Sequence, residues 1–148
     1  MKFYSYAAAY PNDEATAMLL SLGLAKHRFH VTTCFDSSGQ LAPSEPPRSF
    51  APQTATVSAV TEWDAPNGLH VVAELSDCAW TSELNASFLS LGIKEDLPHR
   101  PHLTLIAHCQ PGDALKFQSL VGSTLTFDRH EVHRKPAHPQ LLKPRSAP

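Results

Sequence analysis

The chain has 148 residues with 12 Lys and Arg against 14 Asp and Glu, a net charge of −2 with neutral histidines, and 42% hydrophobic residues. That is one globular domain with enough apolar content for a core, not a disordered segment, and it lacks the basic excess with which proteins grip long nucleic acid. Three cysteines (Cys34, Cys78 and Cys109), an odd and widely spaced set, argue against a disulfide framework and suit a reducing cytoplasm.

Lys2 to Ala9 carries aromatics at Phe3, Tyr4 and Tyr6 and predicts a first strand. No secretion-signal pattern or membrane-length apolar run is present, so no membrane partner is expected. After the Pro11-Asn12-Asp13 turn, Asn12 or Asp13 caps a predicted helix through Ala15, Met18, Leu19 and Leu22, stopped by Gly23. Arg28 to Phe35 is rich in β-branched and aromatic residues and predicts a strand. Asp36 to Pro52, rich in Pro, Ser and Gly, reads as a long loop of the kind that serves as a lid. Gln53 to Trp63 and Leu69 to Leu75 read as strands joined by turn chemistry at Asp64-Ala65-Pro66-Asn67-Gly68. Asp77 is the expected cap of a second helix, with Trp80, Leu84, Phe88 and Leu91 facing the core and a stop at Gly92. His102 to Ala107 predicts a strand, Leu115 to Leu120 a short helix, and Ser123 to Val132 a last strand. The expected organisation is one domain over residues 1–133 and a Pro-rich, extended or disordered tail over 134–148.

Each half of this order has a helix feeding a strand that bears a His-x-Thr triplet: His30-Val31-Thr32 and His102-Leu103-Thr104. The expected fold is therefore α+β with two related lobes. Residues i and i+2 of a strand share a face, so each strand would present an imidazole beside a hydroxyl. If the strands lie side by side, four polar groups converge. Imidazole titrates near working pH, so one histidine can take a proton from an attacking hydroxyl or water while the other protonates the leaving oxygen. The hydroxyls of Thr32 and Thr104 can donate to phosphoryl oxygens as charge builds there. The chemistry calls on no metal or other cofactor. Spacing alone does not say which histidine is acid and which is base, and it fits equally two histidines on solvated strand faces.

With these triplets, and above all the run Arg100-Pro101-His102-Leu103-Thr104-Leu105, the chain resembles the 2H phosphoesterase superfamily. From Val57 to Leu105 it looks most like the phage anti-CBASS phosphodiesterases, through Val60-Thr61-Glu62-Trp63-Asp64, Gly68, Val71-Val72-Ala73-Glu74-Leu75, Leu91-Gly92 and Asp96. The resemblance implies a two-lobed fold in which antiparallel sheets form a central groove with helices outside. It implies metal-independent hydrolysis of 3′–5′ linkages in cyclic di- and trinucleotides, with a ribose 2′-hydroxyl as first nucleophile, in the cytoplasm of an infected host. It also makes Glu131 similar to that group's acidic base-reading residue, and Tyr4 or Tyr6 to its N-terminal aromatic. The alternatives are a phosphodiesterase that opens 2′,3′-cyclic phosphates on RNA or tRNA ends, and a module that binds a nucleotide without cleaving it. In each case the partner is a small anionic nucleotide or an RNA end.

Five further residues are candidates for contact with substrate, each beside a plainer role. Tyr4 and Tyr6 can stack on a nucleobase or pack against the first helix. Trp63 can line the site or cover a core edge. Arg100 can steer a phosphate or lie on the surface. Glu131 can accept from a base edge or sit solvated at a strand end. His130, His133 and His138 near Glu131 match no common zinc spacing, so no metal site is assigned there. Cys34 and Cys109 have no base nearby in sequence and receive no nucleophilic role.

Overall fold

The computed structural model describes residues 2–25, 29–43, 48–95 and 98–137. Its six antiparallel strands are β1 (Phe3–Pro11), β2 (Val31–Asp36), β3 (Arg48–Ala65), β4 (Gly68–Ser76), β5 (His102–Ile106) and β6 (Thr124–Pro136). They close into a barrel in the order β1-β2-β5-β4-β3-β6. Helix α1 (Asp13–Ser21) lies between β1 and β2, α2 (Ala79–Leu89) between β4 and β5, and the 3-10 helix η1 (Asp113–Leu120) between β5 and β6. The molecule is thus a mixed α+β fold. Among the described residues no helix is long and apolar enough to cross a membrane.

The strand register sorts side chains onto two faces. Ala9 pairs with Val31, Val31 with Leu103, Leu103 with Ala73 and Ala73 with Val60, so one apolar belt crosses five strands. That belt belongs to the main core with Leu19 of α1, and with Ala114, Phe117 and Leu120 of η1. A smaller cluster gathers Ala7, Cys34, Leu41 and Ile93. The residues between the belt positions necessarily point to the opposite face.

Local chemistry explains most element ends. The Asn12 side chain accepts from the Ala15 N–H at 2.8 Å and caps α1. Pro66 and Asn67 form the two-residue turn closed by the pair Ala65 and Gly68. Asp36, 1% exposed, accepts from the backbone N–H groups of Ser38, Gln40 and Leu41 at 3.0, 2.7 and 3.0 Å, which knots the segment after β2. Burial acts to raise the Asp36 pKa, but these bonds and the one from the Ser38 hydroxyl outweigh it and hold it below the ordinary value. Gly39 takes φ +67°, and a Cβ there would stand 2.7 Å from the Phe3 carbonyl oxygen, so the knot closes on β1 only with glycine.

Several expectations need correcting. β1 runs on to Pro11, because β6 pairs with it to its end. β2 begins at Val31, and residue 28 of the expected strand lies outside the described residues. The segment read as a loop to Pro52 becomes strand from Arg48. Pro52 fits there because the β3–β6 register shifts between Ser49 and Gln53, where no ladder N–H is required. Cys78, not Asp77, is the N-cap position of α2, and its side chain makes no cap bond; Asp77 takes φ +51°. Trp80 and Phe88 pack against the core clusters as expected, but the fully buried positions of α2 are Thr81 and Asn85, and Leu91 lies beyond the helix, 70% exposed. Asn85 donates to the Thr33 carbonyl at 2.9 Å, so a polar clasp joins the apolar contacts of Trp80 and Phe88 in seating this helix. The short helix begins at Asp113, because Glu62 accepts from Gly112 and Ala114 and fixes its first turn. β6 continues through Pro136, so residues 134–136 of the expected tail pair with Phe3 to Ser5; residues 138–148 lie outside the described residues.

Candidate functional site

β2 and β5 meet through the pair Val31 and Leu103, the center residues of the two triplets. Both are 0% exposed, anchored in the core. Antiparallel counting from that pair sets Thr32 opposite His102 and His30 opposite Thr104. All four therefore stand on the face away from the core and are partly exposed. His30 lies one residue before β2, yet its ring meets those of Tyr6 and Tyr10 at 5.8 and 6.0 Å. A bulge between Ala7 and Ala8 leaves Thr33 as the extra residue of β2, so Thr33 and Cys34 are both buried while Thr32 keeps its place opposite Ala8.

On the β5 side, His102 Nδ1 lies 2.8 Å from the Arg100 carbonyl oxygen. A carbonyl can only accept, so Nδ1 carries the hydrogen and the neutral ring has its lone pair on Nε2. Trp63 of β3 leans on the same imidazole with centroids 4.3 Å apart. The Arg100 guanidinium lies 4.4 Å from the Trp63 ring centroid and donates to Glu74 at 2.7 Å. Glu74 pairs with His102 in register and also accepts from Thr61 at 3.0 Å. Burial acts to raise the Glu74 pKa, but the Arg100 and Thr61 hydrogen bonds and the Arg100 charge hold it below the ordinary value.

On the β2 side the wall is aromatic. Tyr4 and Tyr6 stack at 6.2 Å, and Tyr4 stacks on Phe35 at 5.6 Å. These tyrosines share the triplet face instead of packing against α1, which corrects that alternative. Glu131 is 3% exposed and lies 3.0 Å from His133 Nε2, so it is not a solvated strand-end carboxylate. The Tyr10 hydroxyl reaches the same nitrogen at 2.7 Å. Sequence reasoning does not single out Tyr10, weighs His133 only as part of a histidine set for metal, and gives Glu74 no role of its own. Alternation along β1 from Tyr6 and along β6 from Glu131 would have suggested the first two; nothing local marks the third.

The histidine-rich run of β6 divides between faces. His133 shares the triplet face with Glu131, while His130 turns to the core, bonds Thr33 Oγ1 at 2.8 Å and lies against Phe50 and Phe88. Burial holds the His130 pKa below the ordinary value, against the pull of the Glu131 charge. His138 of that set lies outside the described residues. Among the described residues, no three His, Cys, Asp or Glu side chains are grouped to hold a metal ion. Burial, with the charges of Glu95 and Asp36, pushes the Cys34 thiol up to about 12, which leaves it protonated and inert at neutral pH.

No protein-family model matches the chain, and no curated protein matches it significantly.

Proposed function

We propose that the protein is a two-histidine phosphodiesterase of the 2H type, bilobal in that family's sense, which hydrolyses 3′–5′ linkages of cyclic di- and trinucleotides in the cytoplasm. In a phage-infected host this would remove a cyclic-oligonucleotide immune signal. The observation that supports the reading best is the Val31–Leu103 pair, which sets His30, Thr32, His102 and Thr104 on one partly exposed face. Two imidazoles and two hydroxyls in a square suit in-line displacement at phosphorus. One histidine takes the proton of the ribose 2′-hydroxyl as its oxygen attacks the adjacent 3′-phosphate. The other gives a proton to the departing 5′-oxygen. The resulting 2′,3′-cyclic phosphate is opened by water with the proton transfers reversed. Thr32 and Thr104 donate to the non-bridging oxygens as charge accumulates. The Arg100 carbonyl fixes the His102 tautomer, so Nε2 is the nitrogen that exchanges a proton. Tyr4, Tyr6 and Trp63 offer ring faces for bases on either side of the histidines.

The test is incubation of purified protein with 3′–5′ cyclic di- and trinucleotides in EDTA, with products read by mass spectrometry. A His30→Ala, His102→Ala double variant runs alongside. Linear products from the wild type alone are expected. Intact substrates throughout would reject the reading, and cleavage only of RNA 2′,3′-cyclic ends would move the substrate to RNA termini.

A further inference from the structure

Away from the triplets, the β3–β4 hairpin tip and the end of β5 bring together three unusual local features. His70 Nε2 lies 3.0 Å from the Asn67 side-chain oxygen. That oxygen only accepts, so Nε2 carries the hydrogen and the lone pair of the neutral ring is on Nδ1. Nδ1 is itself buried and lacks a hydrogen-bond partner, the one such side-chain atom among the described residues. An orphaned acceptor of this kind calls for an explanation. Beside its ring is His108, an exposed residue held at φ +59°, a backbone conformation uncommon for a non-glycine residue. The imidazole of His108 lies over the hairpin at Gly68, where an ideal Cβ would come within 2.9 Å of His108 Nδ1. The two imidazole centroids stand 5.6 Å apart.

The geometry points to a binding site for a divalent transition-metal ion of the zinc or copper type, held by His70 through Nδ1 and by His108. Two imidazoles that share one ion at metal–nitrogen distances of about 2.0–2.1 Å have centroids roughly 5 Å apart, close to the spacing seen here. Imidazole is a ligand for such ions rather than for calcium or magnesium. An oxygen on the far nitrogen of a ligating histidine, as Asn67 supplies, is the usual support that orients the ring. With two protein ligands, water fills the remaining positions, and exposed His108 turns its ring to complete the pair. The ion would tie the hairpin tip to the segment leaving β5, which makes it a clip on the fold and separate from the proposed hydrolysis.

Zinc binding by the whole, chelator-stripped protein tests this by titration calorimetry. Copper quenching of Trp63 fluorescence in a Trp80→Phe background provides a local readout, since Trp63 pairs with His70 in register and the chain has 2 tryptophans. One equivalent of zinc is expected, with affinity falling at least tenfold in His70→Gln and in His108→Asn, and by about tenfold in Asn67→Ala. Asn tolerates the left-handed backbone of position 108, so this variant carries the test even if His70→Gln does not fold. Unchanged affinity in the paired His70→Gln, His108→Asn variant, or no binding by the wild type, would overturn the assignment.

Discussion

The two His-x-Thr triplets occupy equivalent places at the β2–β5 seam, but their surroundings differ. His102 is held by a carbonyl, leaned on by Trp63 and flanked by the Arg100–Glu74 ion pair. His30 stands among tyrosine rings, with the pair of half-buried His133 and buried Glu131 one strand further away. The same three-residue motif therefore delivers one imidazole with an imposed tautomer beside a cation and another in an aromatic wall. Two identical motifs need not make two identical acids: roles divide through the neighbours.

The largest effect should come from the histidines. His30→Ala and His102→Ala are each expected to lower cyclic-dinucleotide turnover by about 10²–10⁴. Equal losses across the pH range would erase the comparison; unequal pH profiles would assign acid and base. Thr32→Val and Thr104→Val keep the strand shape and remove a donor, so kcat should drop by roughly 10²–10³ in each. A smaller and more pointed contrast sets Glu74→Gln against Tyr10→Phe. The first loosens Arg100 and should shift the profile limb that belongs to His102. The second removes the hydroxyl held by His133 and should act on the His30 limb. Each is expected to cost under tenfold in kcat; if both move the same limb, the two sides are not independent.

Stability gives the mildest test. Burial depresses the pKa of His130, so the folded state holds its proton less tightly than the unfolded chain does. Its contribution is complete above the unfolded value of about 6.5 and is lost as pH falls from there through the folded pKa. Urea midpoints should decline between pH 7.5 and 5, and His130→Gln, which can still bond Thr33, should decline less. An equal decline would place the acid sensitivity elsewhere, with half-buried His99 and His70 the next residues to vary.

The parts of the fold written in local chemistry were legible in the sequence. Asn12 caps α1, Pro66-Asn67-Gly68 turns β3 into β4, and Val31 and Leu103 read as core positions between polar neighbours. The parts written by distant partners were not. Arg48 to Pro52 looks like loop because of Pro52 and the prolines just before it, yet β6 recruits it as strand. The fully buried side of α2 is set by Asn85 reaching Thr33 and Glu95, which no apolar periodicity reveals. Likewise the four residues of the triplets could be named from their pattern. Glu74 needed Arg100 to give it meaning, and Tyr10 needed His133, 123 positions away in sequence.

The seam itself has a mechanical consequence. β3 and β4 are laced along nine register positions, Thr56 to Ala65 with one irregularity, whereas among the described residues β2 and β5 are joined at a single rung, Val31 to Leu103. A closed hoop of strands yields where it is stitched least, and that place is the line between the two imidazoles. Amide hydrogens along this line should exchange with solvent earlier than those of the hairpin, giving the hoop a built-in clasp at the two triplets.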